Sequence, residues 1–252
     1  NGVKLAFVKD SASPADADQI ASISFYGDDD AGNANEFASI KVVADDVSNG
    51  SEDGHLKFFT QGAGTLAERM RIDSSGNVGI GVTPETWNSN FTNLQIGTWS
   101  ALSSTTSGNG ETTRLQSNFY NDGSAEKYIG SGYAVAYHQR VTDGQHKFRV
   151  SNASGSADGS ISSWIDGRVI DASGHVTMSN QPAFSASVGS TQSNLAVGQN
   201  VDIVFGTESY DIGDNFASST FTAPVAGKYQ LSYFVRLDAI DTAASYYYLM
   251  IK

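Results

Sequence analysis

The stretch Arg69-Met-Arg-Ile-Asp-Ser-Ser-Gly-Asn-Val-Gly-Ile-Gly-Val-Thr-Pro84 reads as a strand, a tight turn, a second strand and a stop. Met70 and Ile72 alternate with Arg69, Arg71 and Asp73, the period-2 pattern of a half-buried strand. Asp73 can cap its own turn, and Gly76 and Asn77 tolerate the left-handed backbone such a turn requires. Val78, Ile80 and Val82 then alternate with Gly79 and Gly81, so one face of the second strand carries almost no side chains. Pro84 has no N–H to give a ladder and ends the strand.

The pattern returns. Val169-Ile-Asp-Ala-Ser-Gly-His-Val176 matches Arg71-Ile-Asp-Ser-Ser-Gly-Asn-Val78 at Ile, Asp, the second Ser, Gly and Val. Upstream, His146-Lys-Phe-Arg-Val150 echoes His55-Leu-Lys-Phe-Phe-Thr60. The second copy has a longer reach between its strands, and the small polar run 152–159 accounts for it as a longer hairpin loop. Duplication of a β-hairpin module is the economical reading.

Composition agrees with strands. Eleven Tyr and thirteen Phe accompany many Val and Ile, charged residues are only 17%, and no window shows a sustained helical stripe. Net charge is −12 with no basic patch to neutralise phosphates, so a nucleic-acid partner is not expected. No apolar run is long enough for a membrane span, and membrane insertion is not expected. With no cysteine, no disulfide contributes to stability. The chain opens without Met and ends in Tyr246-Tyr-Tyr-Leu-Met-Ile-Lys252, and it reads as cut from something longer.

Three regions emerge along the chain. Residues 1–102 hold the apolar run Val3–Val8, strands at Ile20–Tyr26, Phe37–Val43, His55–Thr60 and Arg69–Asp73, and the candidates Leu94, Ile96 and Trp99 for burial. The low-complexity run Ser103–Thr113 marks the boundary to a second module, 103–180. Its strands are expected near 115–120, 127–129, 133–141, 146–150, 161–164, 168–171 and 176–178. From Pro182 a third module, 181–252, carries strand-like stretches at Ala183–Ala186, Val201–Phe205, Phe216, Phe221–Tyr233 and Tyr246–Ile251.

The third module resembles the globular head of the first complement component's recognition protein, a jelly roll similar to the tumour-necrosis-factor fold. Ala183-Phe-Ser-Ala186 looks like its opening strand and Tyr210-Asp-Ile-Gly213 like its mid-domain turn. Phe221-Thr-Ala-Pro-Val-Ala-Gly-Lys-Tyr229 carries the most specific part of the match. The likeness spans only the first half of such a domain. Arg69–Pro84, with Leu5–Val8, Ile23–Phe25 and Leu56–Phe59, resembles segments of tail fibres of bacterial viruses, notably marine ones. That resemblance implies a homotrimer whose tip contacts the host surface. The glycine face and the alternating small residues of Tyr133-Ala-Val-Ala-Tyr-His138 suggest where chains approach one another near a threefold axis.

The expected fold class is therefore all-β: tandem β-hairpin or β-sandwich modules in a fibrous homotrimer, followed by a partial jelly-roll module. The expected function is non-enzymatic: an extracellular virion tail fibre mediating attachment. Its partners would be two further copies, other tail or baseplate proteins, and a host surface glycan or protein receptor. A bacterial cell-surface or secreted adhesin would use the same physics on another carrier, and a surface-polysaccharide depolymerase is a third reading.

Residues for chemistry are sparse. His55, His138, His146 and His175 have no zinc-ligand spacing. Asp28-Asp-Asp30 with Asn33, Asn35 and Glu36 gathers oxygens but lacks the register of a calcium loop, and reads as a solvated acidic loop. Gly79-x-Gly81 lacks the third glycine and helix of a dinucleotide site, and there is no Gly-x-Ser-x-Gly elbow. Asn49, Asn90 and Asn152 head formal glycosylation sequons. Trp87, Trp99, Trp164 and Tyr246–Tyr248 suit core and interchain packing better than sugar stacking. No catalytic, cofactor-binding or metal residue is assigned, and no cofactor is expected.

Overall fold

A computed structural model describes residues 2–105, 112–196, 198–240, 243 and 247–251. Every regular element among them is a strand. The fold is all-β, and it divides into two compact units, 1–180 and 181–252.

The first unit is built on one twelve-stranded sheet. Its first five strands are β1 (Gln19–Asp28), β2 (Ala34–Asp46), β3 (Asp53–Gly62), β4 (Thr65–Ile72) and β5 (Val78–Ile80). β6 (Phe91–Ile96) and β7 (Ser100–Thr105) lead to β8 (Thr112–Ser117). After β8 come a short hairpin, β9 (Phe119–Asn121) with β10 (Glu126–Tyr128), and then β11 (Val135–Arg140), β12 (Gln145–Ser151), β13 (Trp164–Ile170) and β14 (Val176–Thr177). The sheet order is β1 through β8, then β11 through β14. All neighbours are antiparallel except β5 and β6, which run parallel with Val78 opposite Leu94 and Ile80 opposite Ile96.

The internal repeat is deeper than the hairpin seen in the sequence. β1–β5 form one five-stranded meander, and β8 with β11–β14 form a second of the same connectivity, with β6 and β7 set between them. The hairpin β3–β4 skips Arg69 between Phe58 and Phe59, and β12–β13 skips Gly167 between Phe148 and Arg149. Such a bulge bends both ladders at the same place. Glu68 takes Lys57 and Arg71, while Asp166, in the matching position, takes Lys147 and Arg149.

The turns match atom for atom. In Asp73–Asn77 the Asp73 carboxylate accepts the Asn77 N–H at 2.7 Å and the Asp73 carbonyl accepts from Gly76. In Asp171–His175 the corresponding bonds run from His175 and Gly174. A third instance, Asp29-Asp-Ala-Gly-Asn33, joins β1 to β2 with the same bonds. Gly32, Gly76 and Gly174 all sit near φ +82°, where a side chain would be strained.

Several expectations are corrected. The boundary expected between 102 and 103 falls inside β7, whose ladder with β8 continues the sheet; part of the low-complexity run, 106–111, lies outside the described residues. Residues 3–8 join no ladder. Ile161 lies in a loop outside the named strands, where it packs against the core under the β9–β10 hairpin and donates its backbone N–H to the Glu126 carbonyl at 2.8 Å.

The second unit holds two small ladders, β15 (Ala183–Ser187) with β16 (Thr207–Ile212), and β17 (Phe216–Ala217) with β18 (Thr220–Phe221). Phe184 stacks on Phe216 at 4.4 Å and on Phe221 at 5.2 Å, and Tyr229 meets Phe221 edge-on. The strands expected over 201–205 and 229–233 are not formed, nor is one over 247–251; Tyr246 lies outside the described residues. A strand needs a ladder to take its N–H and C=O groups, and none of these three stretches joins a ladder among the described residues.

Candidate functional site: an open apolar sheet face

Cross-strand register sorts the side chains of the large sheet into rows. One row runs Ile23, Ile40, Phe58, Met70, Ile80 and Ile96, drops to Ser100 and Ser117, and resumes at Val135, Val150 and Ile165. The next row on the same face passes from Val42 and Leu56 through Leu94, Leu102 and Leu115 to Tyr137 and Phe148. Its first charged residue is Arg168, at the far end. This face is open: Leu115 is 61% exposed, Ile96 52%, and Leu102, Val135 and Phe148 nearly half.

The opposite face is polar, and from β5 onward it is largely covered. Lys41, Lys57 and Arg71 lie on it toward β1; Gln95, Gln116 and Arg149 follow. Beside them Asn77, Asn93, Ser103 and His138 are buried. Within β7 the inversion is visible at consecutive residues, with Ala101 and Ser103 buried and Leu102 exposed.

The chain's own connecting segments cover that polar face. Gln95 Oε1 accepts from the Glu85 backbone N–H at 2.9 Å and from the Trp87 indole at 3.3 Å. Asn93 donates to Asn77. The linker 118–134 and the longer loop 152–163 pack on each other through the bridges Lys127–Ser160 and Gly132–Gly155. Together they place Phe119, Tyr128, Ile161 and Trp164 over Ala134 and Ala136, with Trp87 and Tyr120 over Ala101 beside them.

The expectation for the small residues is therefore reversed. A Cβ on Gly79 would lie 2.2 Å from the Val82 carbonyl, because the chain folds back beneath it toward Pro84. Ala134 and Ala136 sit under the chain's own aromatics. Small residues admit this chain's own segments, and the surface left open is the bulky one.

No group of three or more His, Asp or Glu able to hold a metal occurs among the described residues. Asp29 spends its carboxylate on the turn, accepting from Ala31, Asn33 and Asn35. His55 pairs with Asp45, His146 with the Tyr137 hydroxyl and His175 with Asp171. His138 is 2% exposed among Arg114, Arg149 and Arg140, and burial, then those cations, lower its pKa to about 3 in spite of Asp166. It is a neutral core residue. Trp87 and Trp164 belong to the core, and Trp99 lies half-exposed with its ring against Gly130. Asn90 and Asn152 of the sequons are exposed.

One pairing of acids carries no signal in the sequence, since its partners lie far apart in the chain. Burial, and then the charge of Asp158, raises the pKa of Glu85. Tyr120 donates to Asp158 at 2.9 Å, and burial and this bond push its pKa up to about 12.

No family model matches the chain, and no curated protein matches it.

Proposed function

We propose that this chain is a segment of a homotrimeric attachment fibre of the kind carried by bacterial viruses, working by adhesion rather than catalysis. The open apolar face carries the reading. Eleven strands span ten spacings, or about 48 Å, and two side-chain rows make a band roughly 12 Å wide. Its plan area of roughly 600 Å² is at the upper limit of the largest patch on an ordinary monomer and approaches one partner's share of a stable interface.

The band is free of charge until Arg168, so copies of a chain of net charge −12 can meet there without setting like charges against each other. Burying it contributes about 25 cal/mol for each Å² removed from water. Three chains can close such faces around a common axis. The resemblance of Arg69–Pro84 to tail-fibre segments supplies the carrier, and the host surface is the proposed target, with many weak contacts strengthened by multivalency.

Light scattering on the purified chain tests the assembly. A mass near three times 26.6 kDa is expected. A mass near 26.6 kDa at micromolar concentration would sink the reading. Attachment is tested by binding of the trimer to intact host cells, expected to fall steeply when the chain is held as a monomer.

A further inference from the structure

The apolar face is not uniform. Its first row is bulky on β1 through β6, and then two serines, Ser100 and Ser117, face each other across β7 and β8. The loss of bulk leaves an open hollow of about 460 Å³, walled by Leu115, Val135, Tyr137 and Phe148. Immediately before it stand Ile80 and Ile96, paired side by side on β5 and β6 and 40% and 52% exposed. This ridge cannot sink into its own sheet, because Gly79 beneath it already lies against the Val82 carbonyl and Pro84.

We propose that the Ile80–Ile96 ridge of one copy seats in the Ser100–Ser117 hollow of the next copy, head to tail. The proposal rests on the trimeric reading and names its contact. Ridge and hollow lie side by side on one surface, so no chain can fill its own hollow. An aliphatic ridge against an apolar-walled hollow removes surface from water on both sides. The two serine hydroxyls lie at the hollow's base, where their small size makes the space. Head-to-tail contacts between identical copies close into rings when the rotation allows, and three copies use every ridge and every hollow once.

The absence of cysteine from the chain permits a direct test. The paired substitutions Ile96→Cys and Ser117→Cys place two thiols two strand spacings apart within one chain, about 10 Å. A disulfide needs Cα atoms within about 7 Å, so only a bond between copies can form. A second pair, Ile80→Cys with Ser100→Cys, guards against one pair failing to fold. Ile23→Cys with Ser117→Cys, which keeps the hollow's thiol but moves its partner along the same face to β1, away from the ridge, is the control.

Mild oxidation should yield covalent trimers on a non-reducing denaturing gel, at least tenfold more than the control yields. Covalent dimers alone, or cross-linking no better than the control in both pairs, would overturn the contact. Light scattering on the cysteine-free chain separates the two failures. A trimer that does not cross-link sinks only this contact, whereas a monomer sinks the assembly with it.

Discussion

The two five-stranded meanders of the large sheet share a frame and differ in what covers it. In β1–β5 the links between β1 and β2 and between β3 and β4 are short, and Lys41, Lys57 and Arg71 line a polar face served by the chain's ion pairs. In the second meander both corresponding links are extended, to 118–134 and 152–163. Both emerge at the same end of the sheet, since β1 and β3, like β8 and β12, run the same way in an antiparallel meander. They fold over the sheet as one aromatic lobe. The same backbone thus serves as a plain plate in one copy and as the floor of a core in the other. Insertions placed two strands apart can meet, and a repeated sheet gains a core without any change in its register.

Removing the lobe's centre is the strongest way to break this contrast. Phe119 is fully buried, so Phe119→Ala should cost about 4 kcal/mol in chemical denaturation. Phe59, on the same face of the first meander, carries Lys41 over its ring but no second layer, and Phe59→Ala should cost far less. Equal losses would show that the lobe is not the source of the second meander's stability.

Above the range in which the carboxylates titrate, mild acid should act on the second meander through His138. Its folded pKa lies near 3, below the ordinary 6.5, so the fold favours the neutral ring. That contribution is present in full above about pH 6.5 and is lost as pH falls toward 3. Between about pH 6.5 and 4.5, roughly two units at about 1.4 kcal/mol each, the loss should be on the order of 3 kcal/mol. Melting followed between about pH 6.5 and 4.5, above most of the range in which carboxylates such as Glu68 and Asp166 lose their contribution, should show a slope that His138→Gln reduces.

A finer comparison uses one site in each copy. Gly79 stands opposite Arg71, and Thr177 stands opposite Val169 at the matching place. Gly79→Ala has no room and should cost about 2 kcal/mol. Thr177→Gly should cost under about 1 kcal/mol, the ordinary penalty of glycine in a strand. The smallest effect should be common to all three turns. Gly32→Ala, Gly76→Ala and Gly174→Ala each meet open space but a strained φ, and each should cost about 1 kcal/mol. Unequal values would show that the turns are alike in hydrogen bonding but not in load.

The strand content, the hairpin repeat and the turn chemistry are legible in the residues because they are local. Alternation sets which side chains share a face, and Asp with Gly in fixed register sets the turn. The third turn at Asp29–Asn33 carries the same signal, hidden in the sequence by the acids around it, which make it read as a solvated loop. The large face is half-legible: each strand announces its apolar side, but rows form only when register is known. In the second unit the apolar stretches over 201–205, 229–233 and 247–251 have strand composition, yet composition cannot supply a pairing neighbour, and none of the three joins a ladder.

By itself, the sequence determined an all-β chain with repeated Asp-capped turns and no disulfides, since propensity, period and turn type act over a few residues. Tertiary structure alone decided which face is covered. Gly79, Ala134 and Ala136 read as contacts between chains, yet they are closed by other segments of the same chain. Covering one face of a sheet depends on loops that meet in space, and their meeting is set by strand order rather than by the residues beneath them.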